Sequence, residues 1–188
     1  MTVVCFALDI WTKYLAEKHL SRIEPISLAG HTLELILIYN TRAIFGLDPR
    51  HLIPGLPLNL VFTIFMIIAI VFLVAYYRFL KKSEVLTHWG LAFILPGAFG
   101  NLYDRIIHPA KGVVDFIKMD FGFPPFDPWP IYNLADMWVT FGVAILIVSF
   151  VGEELRRRKR QSPAPAPAVP ESRPDDTSSP VARPPSDS

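Results

Sequence analysis

Residues 52–77 contain no formally charged side chain, and residues 61–75 are almost wholly Ile, Val, Phe, Leu, Met and Ala. At about 1.5 Å per residue, a helix of this length crosses the ~30 Å hydrocarbon core of a bilayer. In lipid every backbone polar group must be satisfied within the segment, so the stretch reads as a spanning helix. The rest of the chain agrees with a membrane setting. Of 188 residues, 52% are hydrophobic and 19% charged, with a formal net charge of +1. That balance argues against a basic nucleic-acid binder and against an acidic disordered chain.

Three further segments complete the frame. Residues 85–103 are uncharged but less oily, with Gly90, Pro96, Gly97 and Gly100, which suits an interior span packed closely against neighbours. Residues 131–151 hold Asp136 as their one charge. The N-terminal stretch is apolar except for Asp9 and Lys13, which lie four apart on one helical face and are expected to pair. Residues 1–16 make only ~24 Å of helix, so either the bilayer thins there or translation starts upstream. The expectation is a four-transmembrane-helix bundle, membrane all-α with a small extracytoplasmic β element. Its spans fall at about 1–18, 56–77, 85–104 and 132–151, with an outer strand-containing loop at 21–55.

Orientation follows the basic residues. Arg78, Lys81 and Lys82 follow the second span, and Arg156, Arg157, Arg158, Lys159 and Arg160 follow the last, whereas the other two loops are balanced or acidic. Both termini are therefore expected in the cytoplasm, with residues 153–161 as a basic anchor. Residues 162–188, in which Pro, Ser and Asp recur, read as a disordered tail outside the 1–152 domain. Residues 31–39 read as one or two strands. The prolines and aromatic residues of 121–130 suit a membrane interface. A single cysteine, Cys5, excludes an intrachain disulfide and reads as a small buried side chain.

Acids in or beside spans cost free energy, so each needs a partner or a purpose. Asp9, Asp104, Asp115 and Asp136 all map to the outer half of the frame. Asp9 has Lys13, and Asp104 reads as a helix-end group or the partner of a base. Asp115 and Asp136 have no such explanation. Asn133 lies three residues before Asp136, so its amide can meet that carboxylate or a bound peptide. Two carboxyl groups in a poorly solvated site do not both ionise readily, so one keeps a proton while the other acts as a base. Such a pair can activate water against a peptide carbonyl and protonate the leaving amine. The five histidines are scattered, no HExxH occurs, and Ser149 has no intramembrane base. Two other classes use the same frame: an ion or proton conductor, and a non-catalytic binding or assembly factor.

At these residues the chain resembles the lipoprotein signal peptidases, or type II signal peptidases. The matching stretches are Asp9-Ile10-Trp11-Thr12-Lys13, Tyr39-Asn40-Thr41 followed by Phe45-Gly46, and Gly100-Asn101-Leu102-Tyr103-Asp104-Arg105. Val113-Val114-Asp115-Phe116 and Asn133-Leu134-Ala135-Asp136 complete the series. The resemblance spans about residues 1–152. It implies an intramembrane aspartyl endopeptidase that removes the signal peptide of diacylglyceryl-modified prolipoproteins, with Asp115 and Asp136 as catalytic dyad and no metal or organic cofactor. It also implies that Asn40, Asn101, Arg105 and Asn133 bind substrate or shape the site, with Asp9, Lys13 and Asp104 in support. The implied setting is a monomer in the bacterial cytoplasmic (inner) membrane, its active site near the outer face. Lipid-modified prolipoprotein and membrane lipid would be its partners, and nucleic acid would not. Arg42 stands where the family usually has Gly, and residues 122–130 form an insertion between the two acids.

Overall fold

The computed structural model describes residues 1–41, 57–123 and 129–161. Arg42, Phe45, Gly46, residues 124–128 of the insertion and the 162–188 tail lie outside the described residues. Four helices and three strands follow in the order α1 Thr2–His19, β1 Ile26–Ala29, β2 Leu33–Asn40, α2 Leu58–Phe79, α3 Val85–Ile107, β3 Val113–Met119 and α4 Leu134–Gln161. Among the described residues α2, α3 and α4 are long and apolar enough to cross a membrane. The molecule is thus a mostly helical membrane-type protein with a small sheet. Its helix ends depart from the expected spans for local reasons. α2 begins only after Pro57, α3 runs on to Ile107 just ahead of Pro109, and α4 continues through the basic run to Gln161. An Arg158–Glu154 pair at 2.9 Å and the basic last turn support that extension of α4.

α3 is the central helix, touching α1, α2 and α4, with α4 its most extensive partner. Small residues allow that approach. A Cβ added at Gly90 would meet the Leu146 side chain at 2.6 Å, and one at Gly142 would meet the Gly90 carbonyl at 2.5 Å. α1 presents an inverted stripe. Its buried residues are Cys5, Asp9, Lys13 and Ala16, spaced four, four and three apart, while Val3, Val4 and Trp11 face outward. The polar groups of α1 turn toward the bundle and the apolar ones away from it.

The sheet is antiparallel in the order β1-β2-β3. β2 falls on the 31–39 stretch expected to hold one or two strands, whereas β1 lies ahead of that stretch and β3, after α3, falls outside the expectation. Its signal is present all the same. Val113, Val114, Phe116 and Ile117 are β-branched or aromatic, and Gly112 bounds the run. Register places Ile38 opposite Asp115 and Asn40 opposite Val113, and Glu34 pairs across the strands with Lys118 at 2.7 Å. Gly112 has φ +81°, and a Cβ there would run into the Asn40 carbonyl oxygen, so a side chain would push β2 and β3 apart. One more bridge closes the insertion. Tyr132 exchanges backbone hydrogen bonds with Ile117, at 2.8 and 3.0 Å, while Phe121 and Trp129 meet edge to face. That bridge carries the chain from β3 back to the start of α4.

Candidate active site

The site is built from the first turn of α4. The turn opens as a reciprocal cap: Asn133 Oδ1 accepts the Asp136 backbone N–H at 3.0 Å, and Asp136 Oδ2 accepts the Asn133 backbone N–H at 3.3 Å. Asp9 Oδ1, from α1, accepts the Ala135 N–H at 2.8 Å. Two helix-start donors that would otherwise be orphaned thus receive acceptors, and Asp136 sits where the helix dipole favours negative charge.

Capping fixes the Asn133 side chain, and its amide nitrogen then reaches the other acid. Asn133 Nδ2 donates to Asp115 Oδ1 at 2.7 Å and shares its hydrogens with the Val114 carbonyl and Asn101 Oδ1, both at 3.1 Å. Asn133 is fully buried, so each of these bonds matters: an unsatisfied buried polar group costs about 1–3 kcal/mol. Asp115 Oδ2 accepts from Asn40 Nδ2 at 2.8 Å, and Asp136 Oδ1 accepts from Asn101 Nδ2 at 2.8 Å. One asparagine therefore ties the two acids together, and a second amide holds each from its far side. The expected contact between the Asn133 amide and the Asp136 carboxylate is replaced by the cap, because helical geometry directs Asn133 Oδ1 onto the third N–H and frees the nitrogen for β3.

Behind the acids lies a buried charge cluster. Lys13 Nζ is 2.8 Å from Asp9 Oδ2, 2.9 Å from Asp104 Oδ2 and 3.0 Å from Asn101 Oδ1. Asp104 Oδ2 also accepts the Val114 N–H at 3.1 Å, which ties α3 to β3 beside Asp115. Gly100 leaves room for the cluster, since a Cβ there would strike Asp9 Oδ2. Arg105, one residue past Asp104 and buried, places a second cation within electrostatic reach of Asp104, Asp115 and Asp136. Two cations thus face four carboxyl groups. Burial, and after it the charge of Asp136, push Asp115 up to about 7, although its bonds from Asn40 and Asn133 pull the other way. Near neutrality one proton is therefore retained in the neighbourhood of the pair, the condition for one carboxyl to donate while the other accepts.

The residues singled out from the sequence come together: Asp9, Lys13, Asp104, Asn101, Asp136, Asn133, Asp115 and Asn40 form one connected network, and Arg105 lies beside it. Cys5 is buried and free. Two contributors went unread. Asn59 on α2 accepts from Arg105 Nη1 at 2.9 Å. Tyr39 donates to Glu17 Oε1 at 2.7 Å, which moors β2 to α1 one residue before Asn40, and burial with that carboxylate pushes the phenol up to about 12. A neutral Asn at a helix start carries no distinctive local pattern, and Tyr39, although it heads one of the matching stretches, gives no local sign of its partner on α1. Among the described residues no group of three or more His, Cys, Asp or Glu side chains is placed to hold a metal ion.

Known proteins match the chain over most of its length. The model of the signal peptidase (SPase) II family matches residues 1–152. The chain is 34% identical over 143 residues to the lipoprotein signal peptidase of Borrelia hermsii, covering 75% of this chain and 81% of the relative. It is 33% identical over 172 residues to that of Leptospira biflexa, covering 80% and 87%. Two solved structures of a bacterial membrane enzyme share the fold. One has a TM-score of 0.63 at 24% identity, covering 87% of this chain and 92% of the other, and the second has 0.62 at 26%, covering 79% and 88%. Carried by a match over four-fifths of its length that takes in every residue of the network, the chain belongs to the signal peptidase II family.

Proposed function

We propose that this protein is an intramembrane aspartyl endopeptidase that cleaves the signal peptide from diacylglyceryl-modified prolipoproteins, with Asp115 and Asp136 as its dyad. Membership of the lipoprotein signal peptidases supports the reaction class. The observation that carries the dyad is the Asn133 link, in which one buried side chain orients both acids. In this reading the ionised carboxyl of the pair takes a proton from water as the oxygen attacks the scissile carbonyl. The protonated carboxyl first supports the carbonyl oxygen and then a proton passes to the departing amine. Asn40, Asn101 and Arg105 hold the acids and the peptide, while Asp9, Lys13 and Asp104 brace them from behind. Substrate enters laterally, since a signal helix and two acyl chains are both apolar. The chain works as a monomer in the bacterial inner membrane, with α1 as a fourth span, both termini cytoplasmic and the site near the outer face.

The core beneath the network disfavours a conductor. It consists of Leu91, Ile94, Gly90 and Gly142 with a single Thr87–Ser149 hydroxyl pair, and no chain of ionisable groups continues through it among the described residues. The deciding experiment is cleavage of a purified diacylglyceryl-modified precursor in detergent. Wild type should cut it, and Asp115→Asn and Asp136→Asn should each lose on the order of 10²–10⁴-fold in rate while staying folded. Substantial cleavage by either variant would remove the dyad, and a folded but inactive wild type would favour a non-catalytic lipoprotein-binding factor.

A further inference from the structure

The side chain of Asn59, on the first turn of α2, makes three hydrogen bonds to the end of α3 and the turn that follows it. Its Oδ1 accepts from Arg105 Nη1 at 2.9 Å, and its Nδ2 donates to the Arg105 carbonyl at 3.1 Å and to the Pro109 carbonyl at 2.9 Å. Three residues along the same helix, Phe62 lies under the guanidinium, with Arg105 Cζ 5.3 Å from its ring centroid. One face of α2 therefore grips Arg105 by edge and by plane. Both Asn59 and Arg105 also line a cleft of about 440 Å³ that reaches Thr41, the neighbour of Asn40.

The chemistry of the grip is selective. Arg105 is buried, and among the described residues Asp104, Asp115 and Asp136 act on it electrostatically. A carboxylate at position 59 would hold the guanidinium equally well but cancel its charge. A neutral amide oxygen fixes the group and leaves its positive field directed at the two acids. From this geometry we infer that Asn59 is a positioning residue for the cleavage reaction, holding Arg105 so that its charge acts on the Asp115–Asp136 pair. The inference rests on the dyad reading above.

Two variants test it in the full-length protein, with a diacylglyceryl-modified precursor peptide as substrate and thermal unfolding in detergent as the folding control. Asn59→Leu removes the grip, and its kcat should fall about 10-fold or more with KM changed less than about threefold. Asn59→Asp keeps an acceptor for Arg105 but neutralises it. That variant should remain folded, and its pH–rate profile should move to higher pH, because the pair loses a cation that favours ionisation. A purely structural role predicts a lower melting temperature with an unmoved profile. Folded Asn59→Leu with wild-type kcat, or folded Asn59→Asp whose profile superimposes on wild type, overturns the inference. If Asn59→Leu does not fold, the Asn59→Asp profile decides alone. Activity that survives Asp115→Asn overturns the dyad reading instead, so the two failures are told apart.

Discussion

Asp115 shows how little of an acid's chemistry lies in its own identity. It is a carboxylic acid like Asp120 five residues along the chain, yet burial and the charge of Asp136 push it up to about 7. If the pair must hold one proton to work, the cleavage rate should be sustained below that value and decline as pH rises through it, a trend that a pH–rate profile in detergent would show. The same shift bears on stability. Between the ordinary carboxylate value of 3.8 and about 7 the folded state binds more protons than the unfolded one, so Asp115 lowers stability as pH climbs through that window and has no further effect above it. Asn133 is the second decisive residue. Asn133→Ala should lose about 1 kcal/mol from the lost cap, and it should abolish cleavage while leaving substrate binding largely intact, because it releases both acids at once. A fully active Asn133→Ala would show that the acids are oriented by Asn40 and Asn101 alone.

At the scale of elements, the site depends on three joints. The first is Lys13 of α1, which pairs with carboxylates from α1 and α3. Its replacement by Met would leave Asp9 and Asp104 buried without their cation, and breaking a buried pair in this way costs about 3–5 kcal/mol. Thermal unfolding of Lys13→Met should show a large drop in midpoint, and an unchanged midpoint would mean that the acids are neutral in the wild type. The second joint is Gly112, where β2 meets β3. Gly112→Val should separate Asn40 from Asp115, with a loss of cleavage larger than its loss of stability. The third is the Tyr132 bridge, whose backbone bonds to Ile117 fasten the chain entering α4 to β3 beside Asp115.

For the whole molecule, every group of the network lies within residues 1–152, and the described structure ends with α4 at Gln161. A chain truncated after Gln161 should cleave lipidated precursor at the wild-type rate, and a loss beyond about threefold would give the Pro-rich tail a part in catalysis. The placement of the basic residues also predicts an orientation. A reporter active only in the cytoplasm should work when fused at either end, whereas one fused after α3 should not. Activity of the reporter at that inner position would reverse the topology and with it the placement of the site at the outer face.

Much of this was readable in the chain itself. Uncharged segments of spanning length, the basic runs beside them and the five short motifs locate the helices and name the acids, because lipid imposes composition on a segment without reference to its neighbours. The Asp9–Lys13 pair was readable for the same reason, being separated by one helical turn. The third strand, the Asn59 grip and the direction of the Asn133 amide were decided only in the folded bundle. Asn40 reaches Asp115 across 75 residues of sequence, and Asp9 reaches the Ala135 N–H across 126. Bonds at such separations are set by which helices pack, how closely glycines let them approach and where a strand returns. The sequence by itself determined that acids would stand in a membrane, and the tertiary structure determined that two of them would face one asparagine.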